Sequence, residues 1–428
     1  MRVLLVGSGG REHALAWKLA QSPRLSELHA APGNPGIGHF ATLHPVPLAD
    51  LEEMTELAAR LAVDLVVVGP EAPLAAGLAD RIADAGLRCF GPTAAAARLE
   101  SSKAFAKGVM QAAGVPTASA VVCDTVAAAQ AAIAEMGGRV VIKADGLAAG
   151  KGVTVCDTAA DAQDAAEGCL VDGEFGSAGR RVLVEERLEG EELSLLALCD
   201  GERVLALEPA RDHKRALDGD AGPNTGGMGA FSPVPGVDAE LVEEILAAVH
   251  RPVVNELARL GTPFRGCLYA GLMLTAAGPR VIEFNVRFGD PEAQAILPRL
   301  DADLLDLLDR AATGSLAGAA APVTTDACVS VVMAAGGYPE APVAGGTISG
   351  IAAAEALEGV SVFQAGTSER DGALIASGGR VLNVTACGRD FAEARRRAYA
   401  AVDLIDLEGS MHRTDIALGA ERMEHVHA

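Results

Sequence analysis

The stretch from residue 139 to 153, RVVIKADGLAAGKGV, constrains the fold of this chain more than any other. Four strand-forming residues end in Lys143, and a loop of small residues follows. The glycines and the second lysine of that loop are Gly146, Gly150, Lys151 and Gly152. The N–H groups of such a loop can surround phosphate oxygens, and a lysine adds a compact positive charge. The pattern predicts a polyphosphate site, although a single glycine-rich loop is more commonly a surface turn.

Lysine is scarce in this chain, which gives weight to the positions where it remains. Only six of the 35 lysines and arginines are lysines. They are Lys18, Lys103, Lys107, Lys143, Lys151 and Lys214. A chain that so strongly prefers arginine is expected to keep lysine where a guanidinium cannot replace a compact ammonium. The composition therefore makes the lysines, as a group, the first candidates to consider for a chemical role.

The totals limit the class of protein. A chain of 428 residues predicts about two to four structural units, at roughly 100–200 residues per domain. The net charge of −22 argues against binding to a nucleic-acid backbone, although a local basic pocket for small phosphates fits. No stretch is apolar enough to span a bilayer, and the first apolar run is too short for a signal peptide. Eight scattered cysteines without a Cys-x-x-Cys pair indicate buried thiols in a reducing cytoplasm, with no zinc site.

The first hundred residues alternate short apolar strands with helical patterns, which predicts a doubly wound sheet. Strand Val3–Val6 runs into the glycine turn 7–10, and Asp64–Val68 is a further buried strand. A dinucleotide site is not predicted, because the third glycine of the G-x-G-x-x-G motif would be Glu12 and the second strand ends in no acidic residue. What remains is a glycine turn before a helix, which suits a single phosphate or a tight structural turn.

Two further segments combine charge with irregular structure. After the predicted strand Arg181–Glu185, acidic residues up to Glu192 could bond ribose hydroxyls while the linker backbone contacts adenine, or could form a solvated turn. In the segment 210–229, charged side chains up to Asp220 are followed by four glycines at 222–229, with almost no apolar residue. Segments of that length without regular structure are usually functional or disordered. In an otherwise hydrophobic chain this composition favours a functional loop.

A strand predicted at Arg280–Phe288 carries the sharpest single pattern. With a period of two, Ile282, Phe284, Val286 and Phe288 lie on one side and Glu283, Asn285 and Arg287 on the other. A carboxylate and an amide oxygen on one face suit a hard divalent cation such as Mg²⁺, and the arginine beside them could hold a phosphate or carboxylate. The alternative is an antiparallel strand with one wet face, but asparagine is a poor strand residue.

The remainder, from about residue 328, contains strands Val329–Ala334 and Arg380–Ala386 and a helix, Phe391–Leu404. It shows no catalytic constellation, and its arginines 395–397 indicate an exposed helix face. We therefore predict three domains. They are a Rossmann-like unit at 1–101, a central unit at 102–327 with a small lid at about 118–190, and a C-terminal unit at 328–428.

Taken together, these stretches closely resemble the phosphoribosylamine–glycine ligases (glycinamide ribonucleotide synthetases), a family of the ATP-grasp superfamily. The resemblance covers essentially the whole chain. It rests on VLLVGSGGREHALAWKL, APGNPG, VVGPEAPLAAGL, ESSKAFAK, IKADGLAAGKGV, EGEELS, DHKRALDGDAGPNTGGMGAFSP, LYAGLM, IEFNVRFGDPEAQ and SGGRVLNVTACG. It implies an α/β ATP-grasp enzyme of purine biosynthesis, with a doubly wound N-terminal domain and a small C-terminal α/β domain.

The resemblance also implies roles for individual residues. The ATP-binding set would be Lys103, Lys143, Gly146, Gly150, Lys151, Gly152, Glu185, Leu188 and Glu192. The substrate-binding set would be Gly9, Gly10, Arg11, Asp212, Lys214, Gly226, Gly227 and Arg287, of which Lys214 and Arg287 join Lys143 as catalytic residues. Glu283 and Asn285 would hold Mg²⁺, with Mn²⁺ as an alternative. Arg187 stands where relatives commonly have phenylalanine, which leaves the packing of adenine open.

The implied reaction joins glycine to 5-phosphoribosylamine through a glycyl phosphate, with ATP going to ADP and phosphate, in a cytoplasmic monomer. Three alternatives stay open. A different ATP-grasp carboxylate–amine ligase would lack the DHKR to GGMG run, which is present. A nicotinamide-dependent oxidoreductase lacks the third glycine and the ribose acid. A non-catalytic nucleotide-binding regulator would have no need of the pair Glu283 and Asn285.

Overall fold

The N-terminal part is a five-stranded parallel sheet covered by helices on both faces. The structure, a computed structural model, describes residues 1–148 and 151–427, with side chains up to residue 424. The strands are β1 (Arg2–Gly7), β2 (Glu27–Pro32), β3 (Thr42–Leu43), β4 (Leu65–Val68) and β5 (Cys89–Phe90), in the order β3-β2-β1-β4-β5. The helices are α1 (Gly10–Leu19), α2 (Leu51–Arg60), α3 (Glu71–Ala75), α4 (Leu78–Asp84) and α5 (Ala94–Ser101). All pairings are parallel, so the predicted doubly wound sheet is confirmed.

A small antiparallel unit follows, which we call the lid (residues 120–186). Helix α6 (Lys103–Ala113) leads into it. Its elements are β6 (Ala120–Cys123), α7 (Val126–Glu135), β7 (Val140–Ala144), β8 (Val153–Val155), α8 (Ala159–Leu170) and β9 (Val182–Glu186). The sheet order is β6-β9-β7-β8, and the two helices pack on it around a hydrophobic core separate from the larger ones. The lid is therefore a packed unit with a core of its own.

The central sheet is antiparallel and has the order β11-β10-β16-β17. Its strands are β10 (Glu191–Asp200), β11 (Val204–Ala206), β16 (Arg265–Thr275) and β17 (Gly278–Asn285). The segment between β11 and β16 contains β12 (Arg211–Asp212), β13 (Arg215–Leu217), β14 (Ala221–Asn224), β15 (Gly229–Ser232), α9 (Ala239–Ile245) and α10 (Arg251–Arg259). Helices α11 (Glu292–Ile296) and α12 (Leu304–Thr313) follow β17, and α12 packs on β10 and β16.

The C-terminal part builds the third large sheet, in the order β12-β15-β18-β23-β20. Its own elements are β18 (Ala327–Ala334), β19 (Ile348–Ser349), α13 (Ile351–Glu355), β20 (Val360–Gln364), β21 (Thr367–Arg370), β22 (Ala373–Ala376), β23 (Arg380–Gly388), α14 (Phe391–Val402), β24 (Asp406–Leu407) and α15 (Leu418–His427). Strands β12 and β15 come from the segment 211–232, so this sheet connects the glycine-rich segment to the C-terminal part. Among the described residues, no helix is both long and apolar enough to cross a membrane.

Three details differ from the sequence-based expectations. The segment 210–229 forms four short strands rather than an irregular loop, because its backbone pairs within itself and with β18. Strand β17 ends at Asn285, and a bulge opposite Gly271 and Leu272 changes its phase, so that Val281 is buried and Ile282 is half-buried. Of the three arginines on α14, only Arg396 is exposed, since the other two contact carbonyls of the C-terminal part.

Candidate active site

Lys143 is a buried lysine at the junction between the lid and the central sheet. On β7 it lies diagonally across from Glu185 on β9, because Lys143 pairs with Leu183 and side chains two residues apart share a face. The Lys143 Nζ donates to Glu185 Oε2 at 2.9 Å and to the carbonyl oxygen of Ile282 on β17 at 2.9 Å. Lys143 thus connects the lid to the strand that carries Glu283 and Asn285.

Lys103 approaches the glycine loop from the start of α6. The loop residue Asp145 accepts hydrogen bonds from Ser102 Oγ at 3.1 Å and from Ala104 N–H at 2.8 Å, so it caps this helix. The Lys103 Nζ then lies 3.3 Å from the carbonyl oxygen of Gly146. Burial lowers the pKa of Lys103, and the neighbouring ammonium of Lys143 adds to this, against the opposing effect of Glu283. Two lysines and a carboxylate therefore share one electrostatic environment.

The glycine loop is closely packed where it is described. A Cβ on Gly146 would lie 2.7 Å from the Ala178 Cβ, and one on Gly152 would lie 2.7 Å from the Ala148 Cβ. Lys151 is exposed and donates to the carbonyl oxygen of Pro339 in the C-terminal part at 3.2 Å. Gly150 lies outside the described residues. The phosphate contacts predicted for this loop stay predictions.

Glu283 and Asn285 lie where the sequence pattern predicted them, on the same side of β17. Among the described residues, the Glu283 carboxylate has no hydrogen-bond or ion-pair partner, and the Asn285 Oδ1 accepts one bond, from Arg287 Nη2 at 3.0 Å. Within that part of the chain no three His, Cys, Asp or Glu side chains converge as metal ligands. One free carboxylate and one amide oxygen fit Mg²⁺, which takes few protein ligands and completes its shell with phosphate and water oxygens.

A second charged cluster surrounds Lys214, and Glu283 is among its electrostatic neighbours. The Lys214 Nζ contacts the carboxylate of Glu192 and lies 2.8 Å from Asp212 Oδ1. Burial lowers the pKa of Lys214, but Asp212 and Glu192 outweigh it and raise the pKa well above the usual value. This cluster brings together three residues predicted for ATP and substrate, and it keeps the lysine charged.

A buried hydrogen-bond chain lies behind this cluster and was not predicted from the sequence. Tyr269 OH donates to Glu292 Oε1 at 2.7 Å and lies 2.8 Å from Ser194 Oγ. Burial and the Asp212 carboxylate raise the pKa of Glu292. Burial, together with Glu292, raises the pKa of Tyr269. The chain joins the central sheet to the turn after β17.

The glycine turn before α1 meets the turn after β17 at Asp290. The Gly9 N–H donates to Glu12 Oε2 at 2.7 Å, and the Arg11 N–H points to Asp290 Oδ2 at 3.5 Å. The Arg11 guanidinium turns into the core, towards Glu12 and the carbonyl oxygen of Phe288. A phosphate at this helix end would compete with two carboxylates. The predicted phosphate contacts of Gly9, Gly10 and Arg11 stay predictions.

Arg380 connects Gly226 and Gly227 to the turn at Asp290. Its Nη1 lies 2.6 Å from the Gly226 carbonyl oxygen, 2.8 Å from the Asp290 carbonyl oxygen and 3.4 Å from Asp290 Oδ1. A Cβ on Gly227 would lie 2.5 Å from the Pro291 Cδ, so only glycine fits there. The predicted substrate residues of the first domain and of the glycine-rich segment therefore converge at one turn.

The Arg287 guanidinium is bound by other side chains of the protein. Its Nε donates to Glu71 at 3.0 Å, and its Nη2 donates to Glu100 and to Asn285, both at 3.0 Å. Burial opposes its charge, but the two carboxylates outweigh burial and raise the pKa of Arg287. The substrate contact predicted for Arg287 stays a prediction, and its described contacts give it a role in positioning Asn285.

Two predicted nucleotide contacts lie next to the lid. The Glu185 carboxylate is buried between lysines, so it faces away from solvent. Leu188 follows β9 in the linker to β10, and neighbouring Arg187 pairs with Asp157 of the lid. The adenine contacts of this linker stay predictions.

Several site residues escaped the sequence analysis. They are Glu71, Glu100, Tyr269, Asp290, Glu292 and Arg380. All of them lie in the runs VVGPEAPLAAGL, ESSKAFAK, LYAGLM, FGDPEAQ and SGGRVLNV. Those runs carried the resemblance but had been given no chemistry residue by residue. Charged residues inside an apolar run were the signal that could have found them.

Comparison with known proteins supplies an independent line of evidence. Three family models match consecutive parts of the chain. They are the N domain of phosphoribosylglycinamide synthetase at residues 1–100, its ATP-grasp (A) domain at 101–293 and its C domain at 328–419. A phosphoribosylamine–glycine ligase of Mesorhizobium japonicum is 51% identical over 426 residues, covering 100% of both chains. One from Streptomyces coelicolor is 53% identical, covering 98% of this chain and 99% of its own.

Solved structures agree with this result. A phosphoribosylamine–glycine ligase from Thermotoga maritima superposes with a TM-score of 0.85 at 34% identity, covering 97% of this chain and 100% of that one. The biotin carboxylase domain of a Hydrogenobacter thermophilus 2-oxoglutarate carboxylase, in complex with MgADP, superposes with a TM-score of 0.72 at 17% identity, covering 96% of this chain and 91% of that one. The second likeness supports the fold alone. The predicted ATP-grasp fold with its α/β units is confirmed.

Proposed function

The chain belongs to the phosphoribosylglycinamide synthetase family, whose members are ATP-dependent carbon–nitrogen ligases of purine biosynthesis, and from this premise we propose that it joins glycine to 5-phosphoribosylamine. The products are glycinamide ribonucleotide, ADP and phosphate. One observation carries the proposal beyond the family. Lys103, Lys143 and Glu283, whose carboxylate has no partner among the described residues, lie near one another between the lid and the central sheet, as a polyphosphate with its cation requires.

The reaction proceeds in two steps. A carboxylate oxygen of glycine attacks the γ-phosphorus of ATP, the bond to the β–γ bridging oxygen breaks, and ADP leaves. The amine nitrogen of phosphoribosylamine then attacks the carbonyl carbon of glycyl phosphate. The bond from that carbon to the phosphate oxygen breaks, and phosphate leaves as the amine loses a proton. Both steps depend on charge neutralisation and alignment more than on a general base.

The lysines of the site supply much of that neutralisation. Lys143 and Lys103 would hold the phosphates of ATP from the lid and from α6, in a region where burial strengthens each charge interaction. Glu283 and Asn285 would hold Mg²⁺, which would screen the charge of the phosphates. The lid, which has its own core, would close over ATP and keep water from the acyl phosphate.

The cluster around Lys214 supports an amino-acid substrate. Asp212 and Lys214 present opposite charges 2.8 Å apart. Glycine is a zwitterion, so its ammonium matches Asp212 and its carboxylate matches Lys214. The phosphoribosyl group would then extend towards the turn at Asp290, where Gly9, Gly10, Gly226 and Gly227 converge. A cytoplasmic location and a monomeric state stay predictions from the sequence.

The test is the release of ADP from ATP and Mg²⁺ with glycine and freshly prepared phosphoribosylamine, supplied together and singly. We expect ADP only when both are present, with one glycinamide ribonucleotide formed for each ADP. Turnover with another carboxylate or amine, and not with this pair, would overturn the substrate assignment while leaving the fold. The absence of ADP in every combination would favour a nucleotide-binding regulator. Replacement of Mg²⁺ by Mn²⁺ in the same assay tests the second cation.

A further inference from the structure

Lys107 is a buried lysine to which the proposed mechanism gives no task. It lies one turn after Lys103 on α6, with a side chain that is 13% exposed. Its Nζ donates to Thr117 Oγ1 at 2.9 Å and to the Ala118 carbonyl oxygen at 2.8 Å, where the chain enters the lid. Burial lowers the pKa of Lys107, and the Glu185 carboxylate opposes that effect.

Glu185 is shared between two lysines. Its Oε1 lies 3.5 Å from the Lys107 Nζ, and its Oε2 lies 2.9 Å from the Lys143 Nζ. The carboxylate is only 2% exposed, so it needs a positive partner to remain ionised at low cost. The three groups together carry one net positive charge. One lysine can therefore leave the carboxylate without leaving it unpaired.

The net charge of Lys107, Lys143 and Glu185 affects how tightly ATP can bind. For Lys143 to contact a phosphate, its ammonium must give up part of its interaction with Glu185. If Lys107 were absent, that movement would leave a buried carboxylate without a partner, and the cost would be subtracted from ATP binding. With Lys107 present, the carboxylate keeps one ion pair throughout.

We infer that Lys107 is a positioning residue for ATP. Its ammonium neutralises the Glu185 carboxylate, so that Lys143 is free to bind the phosphates. The inference rests on the proposed function for the identity of the nucleotide. It assigns Lys107 no contact with ATP. It also separates two roles that a single lysine would otherwise have to fill, balancing a buried acid and binding a mobile ligand.

The hydrogen bond from Lys107 to Thr117 offers a competing explanation for the role of Lys107. Its Oγ1 donates to the Val281 carbonyl oxygen at 2.7 Å, and Val281 N–H donates to the Pro116 carbonyl oxygen at 2.9 Å. Lys107 could therefore act only as a tether for the entry to the lid. The two explanations differ in what a neutral side chain does. Lys107→Gln keeps a donor for Thr117 and Ala118 but removes the charge.

The experiment measures the binding of a non-hydrolysable ATP analogue with Mg²⁺ by calorimetry. We expect Lys107→Gln to weaken binding by about tenfold or more, and Lys107→Arg to restore most of the loss. In steady-state assays of Lys107→Gln, the KM for ATP should rise while the KM for glycine stays unchanged. Lys18→Met, which removes a half-buried lysine on α1, is the matched control and should bind the analogue like the wild type.

A double-mutant cycle with Glu185→Gln distinguishes the two explanations, namely that Lys107 neutralises Glu185 or that it only tethers the entry to the lid. In that background the carboxylate is gone, so adding Lys107→Gln should change analogue binding by less than about twofold. An equal loss in both backgrounds, or no loss in the single variant, overturns the inference. If Lys107→Gln does not fold, the double variant Lys107→Gln/Glu185→Gln is compared with Glu185→Gln alone. The double variant leaves no buried carboxylate without a partner. Analogue binding needs neither glycine nor phosphoribosylamine, so a wrong acceptor assignment leaves this result unaffected.

Discussion

Replacing Arg287 by methionine should destabilise the fold rather than remove only a substrate contact. The Arg287 side chain is 16% exposed, and its guanidinium joins Glu71 of α3, Glu100 of α5 and Asn285 of β17. Methionine keeps much of the side-chain volume but supplies no charge and no donor. Two carboxylates, of which Glu100 is 8% exposed, would then lie close together without their shared partner.

The pKa values give the size of the effect. Burial raises the pKa of Glu71, but Arg287, together with Arg11 and a backbone hydrogen bond, brings the pKa to about 2, against a usual value of 4.5. That depression is equivalent to about 3 kcal/mol above pH 4.5, and somewhat less because the Glu71 carboxylate is partly exposed. Burial raises the pKa of Glu100 to about 6 even beside Arg287, and the loss of the arginine would raise it further. We expect a total loss of about 3–5 kcal/mol at neutral pH, as for other broken buried ion pairs.

The assay is urea-induced unfolding of the wild type and Arg287→Met. Because the pKa of Glu71 is depressed in the folded state, the stabilisation by Arg287 is present above pH 4.5 and is lost as the pH falls towards 2. The difference between the two proteins should therefore shrink over that interval. Arg287→Met/Glu100→Gln should recover part of the loss, since the most buried charge is gone. An Arg287→Met protein as stable as the wild type, with a raised KM for one substrate, would refute this reasoning and support the substrate contact.

Three further outcomes are expected. Glu283→Ala should abolish ADP release while changing the free energy of unfolding by no more than about 0.5 kcal/mol, since no described residue pairs with Glu283; near-normal turnover would contradict its metal role. Gly108→Ala should stabilise the protein to urea by about 0.5–1 kcal/mol, because a Cβ there meets no atom within 4 Å in the middle of α6. Burial lowers the pKa of His13 to about 3 and that of His250 to about 4, from 6.5. The unfolded chain then binds these protons first, so stability to urea should fall below pH 6.5 by roughly 2 kcal/mol per histidine at pH 5, and a flat profile would contradict their neutral burial.

The fold could be predicted from the sequence where local pattern and burial coincide. Strands β1 and β4 are runs of Val and Leu, buried on both faces, and such runs form parallel strands beneath helices. Helix α7 begins after Thr125, whose Oγ1 accepts from the Ala128 N–H, and threonine is one of the residue types that favour this capping position. The expectation of an irregular loop at 210–229 was wrong, since its short strands pair with one another and, through β15, with β18, which is distant in sequence.

The candidate site shows the same division between what the sequence predicts and what the tertiary structure decides, at the level of single residues. The sequence by itself determined which side chains were candidates for chemistry, because Glu283 and Asn285 alternate with apolar residues on one strand and Lys143 lies near the end of another. Only the tertiary structure decided what each of them faces. Lys107 and Glu185 lie far apart in the chain and meet through the packing of α6 against the lid. Arg287 looked available for a ligand, yet it is occupied by two acids from the first hundred residues. Sequence spacing determines the face on which a side chain lies, whereas its charged partners depend on how distant elements pack.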